Sequence, residues 1–193
     1  TLDAPMSTSD SAKIDKMASD AIASYAGGGI SGGCQIGVVG PKGTYYQAYG
    51  SAYGRSLTID DKMRYGSITK MATATLILAQ IDAGHISLDD KLSKFVTGVA
   101  NGDRITIKMM LQMRAGIKDY IQQDPTVSQS YFLNPTATFD PMPYIKSYKP
   151  LYEPDRGFNY SNSCYVLLGK ILEWCDDQYG TSRDIRTIVL EDF

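Results

Sequence analysis

The spacing of apolar positions along this chain is helical at first, gives way to β-rich runs, and becomes helical again. In "SDSAKIDKMASDAIASYA", Ile14, Met17, Ala18, Ala21, Ile22 and Tyr25 recur at one-, three- and four-residue steps. That spacing predicts a helix with one buried face. "GGGISGG" then ends it in a loop. "CQIGVVG" and "TYYQAYG" are β-rich runs separated by "PKG". They predict an antiparallel hairpin pairing Cys34–Val39 with Thr44–Tyr49. A lone hairpin is marginal in water, so it needs further strands or a helix beneath it.

From Ser67 onward the period is helical again. A first helix is expected over 67–83. Ser87 follows as the expected N-cap of the next segment, with Asp90 in near capping-box spacing. "ITIKMMLQMRAGI" predicts a helix capped by Thr106 and ended by Gly116. Residues 121–157 hold most of the prolines and little periodicity, with a short helix expected near 142–148. "SNSCYVLLGKILEWCDDQYG" is strongly apolar-periodic, and "TSRDIRTIVLEDF" opens one more helix.

Composition narrows this picture. A chain of 193 residues, 43% hydrophobic and 21% charged, can bury one core, or one domain with an unequal second lobe. The formal net charge is −2, and Lys and Arg are scattered, so no basic stripe marks a nucleic-acid surface. Met71 to Ile81 is about half the length of a membrane span. Thr73, Thr75 and Gln80 interrupt it, which predicts a buried core helix rather than a span. The opening "TLDAPMSTSD" has neither the basic nor the apolar region of a signal peptide. The expectation is that a signal was removed or that the chain is cut from something larger.

Cysteine and histidine usage removes several mechanisms. The three cysteines are Cys34, Cys164 and Cys175. The last two share one predicted helix at a separation of about 16 Å by helix rise, beyond a disulfide. Three buried thiols are expected, and no spacing suits zinc. The single histidine, His85, lies in the turn "DAGHISLDD" and reads as a solvated linker residue. No multi-histidine metal site can form, and there is no G-x-S-x-G elbow. The base of a serine enzyme here would not be histidine.

Two short motifs carry chemistry. Ser67 and Lys70 in "YGSITK" are three residues apart, on one helical face. Ser67 falls in the first turn, where unpaired N–H groups and the helix dipole favour negative charge. Lys70 enters a segment that is apolar all round, and burial there would favour a neutral amine able to take the serine proton. S-x-x-K alone is a weak signal, since a capping serine with a solvated lysine gives the same string. The second motif is Tyr160-Ser161-Asn162, just before an apolar helix. A tyrosine hydroxyl can donate and accept a proton, and an asparagine amide can pair with a substrate amide. Helix capping by Ser161 or Asn162, with Tyr160 packed nearby, is the plainer account of that string.

Together "YGSITK", "LDDKLSKF", "MMLQMRAGIKDY" and "EPDRGFNYSNSCYVLLGKILE", in this order, resemble the serine β-lactamase and penicillin-binding-protein superfamily. The nearest branch holds class C-like β-lactamases, D-Ala-D-Ala carboxypeptidases and related esterases. The resemblance covers roughly residues 31–193. It implies an α+β fold of β-lactamase/DD-peptidase type: an antiparallel sheet flanked by helices, plus a helical lobe. Residues 1–60 would give the N-terminal helix and hairpin of the α/β lobe, and 61–193 the mainly helical lobe with both motifs. It implies Ser67 as acylated nucleophile and Lys70 as its base. Tyr160 would be the second general acid/base and Asn162 a substrate-amide ligand. The Ser67 backbone N–H would be half of the oxyanion hole, and neither metal nor organic cofactor is needed.

The implied activity is that of a serine hydrolase working through an acyl-enzyme, foremost a D-Ala-D-Ala carboxypeptidase on peptidoglycan peptides. β-Lactamase and esterase readings share every residue named. A non-catalytic binding or structural module of the same fold, in an envelope or phage-tail assembly, is the rival from another class. An extracytoplasmic location follows from the resemblance, with a virion-associated one as the alternative. The family's third motif, K-T-G or H-x-G, does not occur in the 193 residues, and "PKGTYYQ" precedes Ser67. The expectation is therefore a chain that lacks its C-terminal strands and is incomplete as an enzyme: a cleavage product, a fragment, or a chain completed by a second polypeptide that supplies those strands and the second oxyanion donor. At the family's H-T-S-G position stand Met113, Arg114, Ala115 and Gly116, expected to be a structural variation.

Overall fold

The computed structural model describes residues 4–27, 32–52, 54–133 and 139–193. The chain divides into two compact units, Thr1–Arg64 and Tyr65–Phe193.

The first unit is a helix on a small sheet. Helix α1 spans Thr8–Gly27, strand β1 Gly33–Gly40, strand β2 Gly43–Ala52 and strand β3 Arg55–Ser56. The strands form an antiparallel sheet in the order β1-β2-β3. The hairpin register is the expected one, from Cys34 opposite Tyr49 to Val39 opposite Thr44. Gly43, at φ +110°, closes the turn against the N-terminal segment, where Thr44 donates to Ala4 and Met6 donates to Thr44. The inward stripe of α1 differs from the expected one. Ala18 is buried and Ile14 and Ile22 half-buried, whereas Met17, Ala21 and Tyr25 are exposed. Asp15 shares the inward face and accepts hydrogen bonds from the hydroxyls of Tyr45 and Tyr49 on β2. A carboxylate met by two phenols thus replaces part of the apolar contact.

The second unit is helical and holds the main core. A 3-10 turn over Gly66–Ile68 leads into α2, Thr69–Asp82. A second 3-10 turn, Leu92–Lys94, precedes α3, Ile107–Leu111. Then come α4 (Pro125–Leu133), α5 (Met142–Ser147), α6 (Asn162–Tyr179) and α7 (Ile185–Asp192). Helix α2 packs on α6, and α6 also meets α3 and α7. Ile77, Leu92, Ile107, Met110, Leu167 and Leu168 are fully buried between them. Each such side chain contributes about 1.5–3 kcal/mol relative to exposure.

Several boundaries depart from the sequence pattern. Thr106 caps α3 as expected, accepting from Met109 N–H at 3.2 Å. The helix stops at Leu111 rather than running to Gly116, because Met113 turns left-handed at φ +59°. Asp90 accepts from Ser87 N–H at 3.0 Å, half of a capping box, but a turn follows instead of a helix. Helix α4 was not expected. Its signal is Asp124-Pro125: the carboxylate caps the N–H groups of Thr126 and Val127, and proline suits the first helical position. No helix among the described residues is long and apolar enough to cross a membrane.

Candidate active site

Tyr65 and Ser67 flank Gly66, which sits at φ +53° with open space where a Cβ would point. Glycine is needed there for its backbone conformation alone. The reversal delivers Ser67 into the 3-10 turn rather than the first turn of an α-helix. The hydroxyl is exposed, and the Ser67 N–H has no backbone acceptor among the described residues. That leaves a donor free beside the hydroxyl, as an oxyanion site requires.

The four residues singled out in the sequence meet here. Ser67 Oγ lies 2.6 Å from Tyr160 Oη and accepts from Lys70 Nζ at 3.2 Å. Lys70 Nζ donates also to Asn162 Oδ1 at 2.6 Å. It stands 4.8 Å from the ring centre of Tyr160 and 5.6 Å from that of Tyr165. The expectation of an apolar enclosure around Lys70 does not hold. The lysine is half-buried, with two oxygen acceptors and two aromatic faces around it. Burial pushes the Tyr160 phenol up, but hydrogen bonds with Lys70 and Ser67 and the lysine's charge outweigh it. The phenol ends below its ordinary value of 10.0.

Local folding puts Tyr160 and Asn162 in place. Ser161 is the N-cap of α6, extended at φ −143°, and its buried hydroxyl accepts from Cys164 N–H at 3.4 Å. Capping is therefore one role of this string, and presentation of Tyr160 and Asn162 on either side of the cap is another. The loop after α3 holds the irregular segment that precedes them. Met113 accepts from Asn159 N–H at 3.0 Å, and Gly116 accepts from Leu151 N–H at 2.9 Å. Arg114 donates to Asp155 Oδ1 and to its carbonyl, and accepts from its N–H. The stretch Met113–Gly116 is thus the brace of the tyrosine loop.

One participant escaped sequence reasoning. Asp119, fully buried, accepts from the Asn162 N–H at 2.6 Å and from Asn162 Nδ2 at 2.8 Å. Ser163 fastens the same junction, donating to Lys118 and accepting from Tyr120 N–H. The string "KDY" offers no motif. Only the fold brings it to the start of α6.

His85 lies elsewhere. It is half-buried, stacked 4.0 Å from the Tyr179 ring, with Nδ1 2.7 Å from Gln80 Oε1, so it is packed rather than a solvated linker. The cysteines are free: Cys164 and Cys175 are buried as expected, but Cys34 is only half-buried. Among the described residues no three His, Cys, Asp or Glu side chains cluster as a metal site would require. A cavity of about 560 Å³ opens beside Lys70 and Asn162, walled by Tyr120, Tyr165 and Val166.

The beta-lactamase family model matches residues 18–187, most of the chain. This chain belongs to that family. Its relatives include a protein of Dichelobacter nodosus named for fimbrial assembly (FimD, serogroup D), 30% identical over 133 residues, 62% of this chain and 30% of the relative. Penicillin-binding protein 4 of Amycolatopsis lactamdurans is 29% identical over 126 residues, 62% of this chain and 31% of the relative. Among solved structures, a D-stereospecific amidohydrolase from Streptomyces sp. is 28% identical with a TM-score of 0.63, covering 76% of this chain and 44% of that one. The octameric penicillin-binding protein homologue of Pyrococcus abyssi shares the fold at 21% identity, with a TM-score of 0.67 over 94% of this chain and 42% of that one. The chain spans about a third of the length of the curated relatives it matches. The α+β fold of the β-lactamase and penicillin-binding-protein superfamily is therefore the fold of this chain.

Proposed function

We propose that this chain carries the nucleophile and proton-transfer groups of a serine hydrolase that works through an acyl-enzyme. The observation that carries the reading is Ser67 Oγ held 2.6 Å from Tyr160 Oη and 3.2 Å from Lys70 Nζ. Ser67 is the nucleophile. Its Oγ attacks the substrate carbonyl carbon, and its proton passes to the Tyr160 oxygen, whose lowered phenol value suits a base. Lys70 holds that network by donating to Ser67 and Asn162, and it is the second amine or hydroxyl group within reach of the Ser67 proton. As the C–N bond breaks, Tyr160 gives a proton to the leaving amine. Water then attacks the ester, Tyr160 taking its proton and passing it to Ser67 Oγ as the acyl C–O bond breaks, which regenerates both groups and releases the acid. Asn162 contributes the amide hydrogen not used elsewhere to the substrate.

The substrate class in this reading is an amide with a D-residue on the acyl side, foremost the D-Ala-D-Ala end of peptidoglycan peptides. The penicillin-binding relative and the D-stereospecific amidohydrolase support that class by their names. Such a substrate would place the protein outside the cytoplasmic membrane. On this reading a second polypeptide supplies the second oxyanion N–H and the K-T-G or H-x-G strand. The test is covalent labelling by a fluorescent penicillin. Wild type is expected to label and Ser67→Ala not to. Labelling that survives the substitution would sink the assignment. Release of D-alanine from a D-Ala-D-Ala peptide, against ammonia from a D-amino acid amide, separates the carboxypeptidase from the amidase reaction.

A further inference from the structure

Asp119 has four N–H donors and only two oxygens. Oδ1 accepts from Ile121 N–H at 2.7 Å and Gln122 N–H at 2.8 Å. Oδ2 accepts from the Asn162 backbone N–H at 2.6 Å and from its side-chain Nδ2 at 2.8 Å. The residue is fully buried. A carboxylate accepts on both oxygens, so all four donors are satisfied. An amide of the same shape would have to point its NH2 group at two N–H groups.

The contact decides which way Asn162 faces. With Nδ2 committed to a carboxylate, Oδ1 is left toward Lys70 Nζ, which it meets at 2.6 Å. The flipped amide would set donor against donor at the lysine and acceptor against acceptor at the aspartate. A chain of contacts results, from Asp119 through Asn162 and Lys70 to Ser67, with Tyr160 at its end. We infer that Asp119 is a positioning residue that locks the Asn162 amide in one orientation and thereby aims Lys70 at Ser67.

A purely structural account is also available, because a carboxylate at the first N–H of α6 caps the helix and suits its dipole. The two accounts differ at Nδ2, since capping needs only the backbone N–H. The rate readout rests on the serine-hydrolase reading, whereas the exchange readout does not.

Wild type alone supplies the first measurement. The side-chain amide protons of Asn162 are assigned in NMR spectra by their loss in Asn162→Ala. At least one is expected to exchange with solvent more than about tenfold more slowly than in free asparagine. Exchange of both at the free rate overturns the inference, whether or not any Asp119 variant folds. The second measurement is acylation by p-nitrophenyl acetate in a double-mutant cycle with Asp119→Asn. A misaimed lysine is expected to slow acylation by about 100-fold. In the Asn162→Ala background the same substitution is expected to change the rate less than about twofold, because the two residues act in series. An equal loss in both backgrounds overturns the inference. A wild type with a protected Asn162 amide that no ester acylates would count against acylation by these 193 residues alone and still support the positioning role.

Discussion

Tyr160 is pulled in two directions. Burial disfavours its phenolate, while Lys70 and Ser67 favour it and prevail. Acylation that uses the phenolate as base should rise with pH through this lowered value. Removing Lys70 removes most of what lowers it. In Lys70→Met, the residual acylation is expected to have its rising limb displaced to higher pH, toward the ordinary tyrosine value. An unchanged limb in a pH–rate profile would assign that titration to another group. Burial also separates the three thiols. It pushes Cys164 up to about 12 and Cys175 up to about 11, and thiolate is the reactive form. Native protein at neutral pH is expected to give one fast thiol with a disulfide reagent, at half-buried Cys34, and three after unfolding. Four site residues were legible because each motif keeps its spacing in the chain. Asp119 was not, since its partner Asn162 stands 43 residues away and nothing local marks the contact. The surroundings of Lys70 were misread for a related reason. Apolarity counted along a helix says nothing of the Asn162 oxygen and Tyr165 ring that α6 brings to Lys70, or of the Tyr160 ring just before it.

At the scale of elements, the brace between Met113–Gly116 and residues 151–160 is tightly fitted. Gly116 has φ +73°, and a Cβ there would lie 2.3 Å from the Tyr152 carbonyl oxygen. Gly116→Ala carries conformational strain of about 1–2 kcal/mol before any clash is relieved, and both effects act on the loop that presents Tyr160. The expected outcome is a lower melting temperature together with slower acylation. Leu168→Ala in α6 should by contrast cost about 2–5 kcal/mol in stability, with the acylation rate at low temperature little changed. The β-hairpin was readable because two β-rich runs flank a short Pro/Gly turn, and the register expected from them, Cys34 opposite Tyr49 to Val39 opposite Thr44, is the one observed. Helix α3 was not, because its apolar period runs on past the left-handed residue that ends it. That residue is a methionine, which carries no sequence signature of a positive φ.

For the whole molecule, the extended buried cluster lies within residues 76–188, inside the second unit. A fragment of residues 65–193 is therefore expected to unfold cooperatively in a thermal melt followed by circular dichroism. A broad, non-cooperative melt would show that the first unit is needed to complete its packing. The general outline of this unit follows from periodicity, whereas the meeting of its parts follows from topology. The bond from Ser67 to Tyr160 spans 93 positions of sequence. Contacts so remote close late, after the chain entropy of long loops has been overcome. The nucleophile therefore lacks its Tyr160 partner until the helices have assembled. A pulse of acylating reagent applied during refolding would tag only molecules that have arrived, making the reaction a clock for the final step of folding.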